Sequence, residues 1–398
     1  MQTGLDDFRQ AESELLCKTY GRYPIAVSHG KGSRLWDYSG KEYVDLLAGI
    51  AVTGLGHANP EISRTIAEQA ERLIHVSNLF FQKEQLDLAR RILATAHFGK
   101  AFFCNSGAEA NEAAIKLARR YQQRVKNRDA FEIITFESCF HGRTLATIAA
   151  SGRAALQDGF APMPQGFKTI AWNDLALLEA TITPQTAGVL IEPIQGEGGV
   201  RPADAAFLQG VEHICRKHGV LFMVDEVQAG MGRTGKWWAF QNFGVTPDVL
   251  TTAKALANGL PMGAMLAVND VAAAFEAGSH ATTFGGGALV AKAAEKVFEI
   301  MERDALPQRA GELGAWAMER FRAVARACPG KIAEVRGMGL LIGIELAFPG
   351  KDVWSTLLEA GFILNLTQEK VLRLVPALTI DKADLERFAV ALENVLKA

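Results

Sequence analysis

Lys254 lies in Thr251-Thr252-Ala253-Lys254-Ala255-Leu256, directly after the apolar run DVLTT, so it is expected at the end of a buried strand rather than on a solvated helix face. Lost hydration lowers the pKa of such a lysine and leaves a neutral amine that can condense with an aldehyde. Asp225 and Glu226 close a second run, VLFMV, where charges are costly unless paired. A protonated pyridine nitrogen is one suitable partner, since an acid beside it keeps the ring an electron sink. An arginine partner, or a role capping the strand end, is the ordinary alternative.

Two further strand ends carry candidates. After AFFC comes Asn105-Ser106-Gly107-Ala108-Glu109-Ala110-Asn111, opening a helix. Backbone N–H groups and a hydroxyl at such a turn suit a phosphate, although a plain N-cap serine has the same spelling. After EIITF comes Ser138-Cys139-Phe140-His141-Gly142-Arg143-Thr144. It offers an aromatic face for a planar group and, in Arg143, a fork for a carboxylate, while Phe140 alone is more often core and His141 more often a hydrogen-bonded structural residue. Gly230-Met231-Gly232-Arg233-Thr234-Gly235 has the spacing of a dinucleotide-binding loop. It does not follow its strand directly, and Lys236-Trp237-Trp238-Ala239 opens no clear helix, so a tight or mobile loop is expected there.

Short apolar runs must position these groups: AFFC, EIITF, KTIAW, GVLIE, VLFMVDE, DVLTT and AMLAV recur between residues 100 and 270. Amphipathic stretches such as 108–122 and 205–218 alternate with them. This rhythm predicts an α/β fold, a mostly parallel central sheet covered by helices, with ligands beyond the carboxyl ends of the strands. The last hundred residues differ, with long helices over 288–327, short runs at 340–346 and 372–375, and a final helix. They read as a smaller α+β domain completed by the first fifty residues. The expected organisation is therefore 1–50 as the N-terminal part of the small domain, 51–290 as the large domain and 291–398 as the C-terminal small domain.

Composition narrows the function classes. The 398 residues are 49% hydrophobic and 22% charged, enough to bury a large core. A net charge of −2 with scattered Lys and Arg argues against a nucleic-acid partner. The five cysteines contain no CxxC pair, which suits a reducing, cytoplasmic setting and suggests no metal site. No run of apolar residues is long enough for a membrane span, and acidic residues near the start do not suit a signal peptide.

Taken together the motifs resemble subgroup III of the fold-type I pyridoxal-phosphate aminotransferases. The resemblance runs through SGAEANEAAIKLAR, FHGRT, EPIQGEGG, DEVQAGMGRTG, TTAKALANGLPMGA, HATTFGG, RGMGLLIGIEL and LRLVPAL. It implies pyridoxal 5'-phosphate on Lys254, with Asp225 at the ring nitrogen, Phe140 on the ring face and Gln228 at the phenolic oxygen. Ser106, Gly107 and Ala108 would hold the phosphate, Glu226 and Val227 would complete the cofactor contacts, and Thr283 would reach the phosphate of a neighbouring subunit in a homodimer. Lys254 and Asp225 would be the catalytic pair.

For substrates, the resemblance implies Arg143 on the α-carboxylate, Thr282 in contact, and Glu197 with Arg373 as a switchable pair. The implied reaction moves the ω-amino group of N-acetylornithine to 2-oxoglutarate, a step of arginine biosynthesis. Ornithine, succinylornithine, succinyldiaminopimelate, 4-aminobutyrate or an aminomutase activity are the alternatives, and the acyl group is not set by the motifs. Three positions depart from the family pattern: Ala229 for Thr, Ala257 for Gly, and Gly287-Ala288 for Asn-Pro.

Overall fold

The computed structural model describes residues 4–398. All seven expected strands form one sheet, in the order Lys100–Cys104, Gly263–Ala267, Val249–Thr252, Leu221–Asp225, Thr186–Ile191, Glu132–Phe136, Phe167–Ile170. Within it Gly263–Ala267 runs against its two neighbours, and the remaining pairings are parallel. The central strands are buried along their whole length, which is why they read as unbroken apolar runs. Leu190 is wholly enclosed there, and truncating it to Ala would cost about 2–5 kcal/mol.

Helices cover both faces. Gly107–Arg120 turns Ala110, Ala113, Ala114, Leu117 and Ala118 inward, so small side chains let it lie close to the sheet. Ala205–His218 ends on Gly219, whose φ of 63° forms a left-handed cap. Ala288–Arg303 packs on Pro60–Arg72 and Lys83–Leu93.

The C-terminal portion forms an antiparallel sheet, Ile332–Met338, Leu341–Leu346, Val371–Leu374 and Asn365–Thr367, backed by the helices Leu306–Ala327 and Lys382–Lys397. A third sheet joins Val27–Lys31, Arg34–Asp37 and Glu42–Asp45 to Phe362–Ile363. The parallel pairing of Glu42–Asp45 with Phe362–Ile363 thus ties the N-terminal segment to the last hundred residues. One apolar core runs through both portions, from Leu88 to Leu250 to Phe388, so they are pressed together rather than tethered. Among the described residues no helix is long and apolar enough to cross a membrane.

Candidate functional site

The carboxyl ends of the parallel strands open onto a cavity of 380 Å³ lined by Ser106, Gly107, Ala108, Phe140, Arg143, Asp225, Val227, Gln228 and Lys254. Sequence-distant residues meet there because each strand ends at the same sheet edge. Ser106 caps the helix Gly107–Arg120 by accepting from the Glu109 amide at 3.2 Å. Gly107 is required by packing, since a Cβ there would stand 2.6 Å from Val227 Cγ1. The amides of Gly107 and Ala108, in the first turn, have no carbonyl one turn back to serve.

Asp225 is locked from behind. Its Oδ2 accepts from Asn111 Nδ2 at 2.7 Å and His141 Nδ1 at 2.8 Å, and its Oδ1 accepts from the Val227 amide at 2.9 Å. Asn111 is fixed in turn by the Thr251 hydroxyl, which donates to its Oδ1 at 2.6 Å. Burial disfavours a charged His141, but the Cys139 sulfur and the Asp225 carboxylate outweigh it and raise the imidazole pKa well above its usual value.

Lys254 adopts φ 48°, a left-handed conformation that is rare for a residue with a side chain and costs on the order of 1–3 kcal/mol. Such strain persists where surrounding structure enforces it, and here it sets the lysine at the cavity wall. Burial pushes the ammonium below its ordinary pKa, and Arg373 adds to that, against the opposing pull of Glu197, Asp225 and Glu192. The neutral amine needed for nucleophilic work is thereby favoured.

A cluster of polar groups extends from Gln228. Arg373, almost wholly buried, donates from Nη1 to Glu197 Oε1 at 2.5 Å and to Gln228 Oε1 at 3.1 Å. Burial alone would raise the Glu197 carboxyl, yet Arg373 holds it below its ordinary pKa. The Glu197 carbonyl accepts from Thr367 Oγ1 and Gln368 Nε2, each at 2.9 Å. Arg143 is exposed, with its guanidinium carbon 5.7 Å from the centre of the Phe140 ring. Glu192 bridges Phe140 and the Glu197 loop, accepting from the amides of Phe140 at 3.0 Å and Gly196 at 3.3 Å, and burial with Asp225 nearby pushes its carboxyl up to about 7.

Five expected site residues lie outside the cavity lining: Glu197 and Arg373 in the polar cluster beside it, and Glu226, Thr282 and Thr283. Glu226 turns its carboxylate to the amides of Ala239 at 2.5 Å and Phe240 at 2.7 Å, beneath the following loop and away from the cavity. Thr282 Oγ1 accepts from Asn105 Nδ2 and the Gly285 amide, each at 3.3 Å, and Thr283 is exposed on the same loop. The glycine-rich loop is buried and tight, and Arg233 donates into the C-terminal portion at the Leu340 and Pro376 carbonyls. Of the departures, Ala229 and Ala257 are buried, and Gly287 is the N-cap of Ala288–Arg303.

Residues 17–396 match the family described as aminotransferase class-III. The chain belongs to the class-III aminotransferases. An acetylornithine aminotransferase of Methanocaldococcus jannaschii is 43% identical over 384 residues, 96% of each protein. Among solved structures, an acetylornithine aminotransferase of Elizabethkingia anophelis superposes with a TM-score of 0.90 at 33% identity, covering 100% of both chains. An ornithine aminotransferase of Toxoplasma gondii, described with partial occupancy of pyridoxal phosphate at its active site, superposes with a TM-score of 0.96 at 31% identity, covering 99% of this chain and 94% of that one.

Class-III aminotransferases depend on pyridoxal phosphate, and the cavity of this aminotransferase fits that group chemically. It presents a lysine of lowered pKa, a carboxylate fixed by three donors, a helix start with free amides and an aromatic ring. Sequence reasoning had not singled out Asn111, Glu192 or the cavity-lining Val52, Gly142, Pro261 and Met262 as site residues. A polar Asn111 among the alanines of an inward helix face was the available signal for the first.

Proposed function

We propose that this aminotransferase moves the ω-amino group of N-acetylornithine to 2-oxoglutarate, yielding N-acetylglutamate 5-semialdehyde and glutamate. The ion pair of Glu197 with the buried Arg373 carries the reading, because one site must accept a neutral acyl side and then a second carboxylate. Bound pyridoxal phosphate supplies the electron sink that makes the substrate carbon acidic. Lys254 holds the aldehyde carbon, Asp225 the ring nitrogen, Phe140 the ring face, and Gln228 the phenolic oxygen. Ser106, Gly107 and Ala108 would hold the phosphate, and Val227 would add to the cofactor contacts.

Lys254 Nζ, neutral when freed, takes and returns the proton at the carbon bearing the amine. Arg143 receives the α-carboxylate through its planar fork, with Thr282 beside it. Glu197 neutralises Arg373 while the acylated donor is bound and yields it to the second carboxylate of glutamate. In this reading residues 1–50 and 291–398 make up the small domain and 51–290 the large cofactor-binding domain.

Two chains build each site in this reading, with Thr283 on the phosphate held by the neighbouring subunit. Support comes from Leu79, Phe80, Phe81 and Phe284, large apolar side chains exposed next to the Thr283 loop, where Asn78 Nδ2 donates to the Thr282 carbonyl. A cytoplasmic setting agrees with five cysteines that are all free.

The testing experiment is a donor panel with 2-oxoglutarate: N-acetylornithine, ornithine, succinylornithine, succinyldiaminopimelate and 4-aminobutyrate. The highest kcat/KM is expected for N-acetylornithine. A higher value for ornithine would favour the activity named for the Toxoplasma gondii relative and would sink the substrate assignment while leaving amino transfer intact.

A further inference from the structure

Arg373 is held by more than Glu197. Its strand, Val371–Leu374, pairs with Asn365–Thr367 in a register that sets Asn365 directly opposite Arg373. Asn365 Oδ1 accepts from Arg373 Nη2 at 2.7 Å, while Nη1 serves Glu197 and Gln228 and Nε is buried without a partner.

The orientation of the Asn365 amide follows from its neighbours. The Leu364 carbonyl only accepts, so the Tyr23 hydroxyl at 3.1 Å donates to it. Tyr23 then accepts from Asn365 Nδ2 at 3.3 Å, which leaves Asn365 Oδ1 for the guanidinium. Tyr23 packs edge-on against Trp354, whose Nε1 donates to the same Leu364 carbonyl at 3.0 Å. A directed relay from the N-terminal segment therefore presents a neutral acceptor to Arg373.

We propose that Asn365 is the positioning residue that retains Arg373 while Glu197 is displaced, and that its neutrality preserves the site's acceptance of a dicarboxylate. The inference rests on the switching role of Glu197 and Arg373 proposed above. When a substrate carboxylate takes the place of Glu197, a buried guanidinium still needs acceptors that hold its rotamer, and Asn365 remains on its strand to supply one. A neutral acceptor leaves the positive charge available to that carboxylate. A fixed carboxylate at position 365 would cancel it.

The test measures the glutamate and N-acetylornithine half-reactions separately, by single turnover of the full-length holoenzyme. Asn365→Asp should shift the ratio of the two kcat/KM values about tenfold against glutamate, through KM more than kcat. Tyr23→Phe, which frees the amide to turn over, should move the ratio the same way by about threefold, and it serves if Asn365→Asp does not fold. An unchanged ratio in both variants, alongside a glutamate-selective loss in Arg373→Ala, overturns the role of Asn365 alone. Equal slowing of both half-reactions by Arg373→Ala overturns the switching role and this inference with it.

Discussion

Arg373 Nη1 donates to Glu197 Oε1 at 2.5 Å, joining a strand of the C-terminal sheet to the loop after the strand Ile194–Gln195. The pair is intact through the neutral range, because the Glu197 carboxyl lies below its ordinary 4.5. The stabilisation it gives is present above that value and is lost as pH falls through the lowered one. Glu197→Gln should leave Arg373 charged against a neutral acyl side. The N-acetylornithine half-reaction should slow by about tenfold, with the glutamate half-reaction slowed much less. Single-turnover rates with each donor check this, and the reverse selectivity would contradict it.

Behind the cavity, Asn111 and His141 share one oxygen of Asp225. Asp225→Ala should lower kcat at least about a hundredfold and weaken cofactor retention. Asn111→Ala leaves the Thr251 hydroxyl without its acceptor and should cost about 1–3 kcal/mol of stability, with a smaller loss of kcat. Steady-state rates, denaturant melts and cofactor titration separate the effects. Normal turnover in Asp225→Ala would remove that residue from the chemistry.

Glu226 offers a pH test of a structural acid. Burial pushes its folded carboxyl from 4.5 up to about 8, so between those values the folded chain keeps a proton the unfolded chain has released. Wild-type stability at this site therefore falls as pH rises from 4.5 to about 8 and levels off above. Glu226→Gln, always neutral, should start less stable through a lost amide contact, and its deficit should narrow across that window. Denaturant midpoints over the series check the trend, and a deficit that widens with pH would contradict it. Cofactor affinity should change little, since the carboxylate serves Ala239 and Phe240.

The contrast between Asp225 and Glu226 shows what was legible from sequence. Seven apolar runs announced the sheet, and the residues after them announced the cavity, because parallel strands bury both faces and expose chemistry only at their ends. Asp225 ends its strand at the cavity while the next residue, Glu226, turns its carboxylate under the following loop, and composition does not say which of two neighbouring acids turns inward. Asn111 and Glu192 were unread for a related reason: each acts through contacts with residues remote in sequence, Asp225 and Phe140. The order of the strands likewise depends on chain crossings that no local pattern encodes, whereas Asn365 meets Arg373 across a short hairpin whose register the apolar pattern alone did not set.

The shared-site reading predicts complementation. Lys254→Ala chains and Thr283→Glu chains should each be inactive alone, the second because a carboxylate on the exposed loop would repel a phosphate. In a mixed dimer both lesions fall in one site, and the other site is wild type. Mixing under subunit exchange should restore roughly a quarter of wild-type activity, as expected for random pairing of equal chains. No recovery despite confirmed exchange would place Thr283 in its own chain's site.

The central claim is that Lys254 carries the cofactor, and the most direct measurement is where the cofactor is fixed. Protein loaded with pyridoxal phosphate is reduced with borohydride, digested and mapped by mass spectrometry. The phosphopyridoxyl mass should appear on the peptide containing Lys254 and vanish from the Lys254→Ala digest. A stoichiometric adduct on another lysine, in protein that turns over normally, would contradict the account.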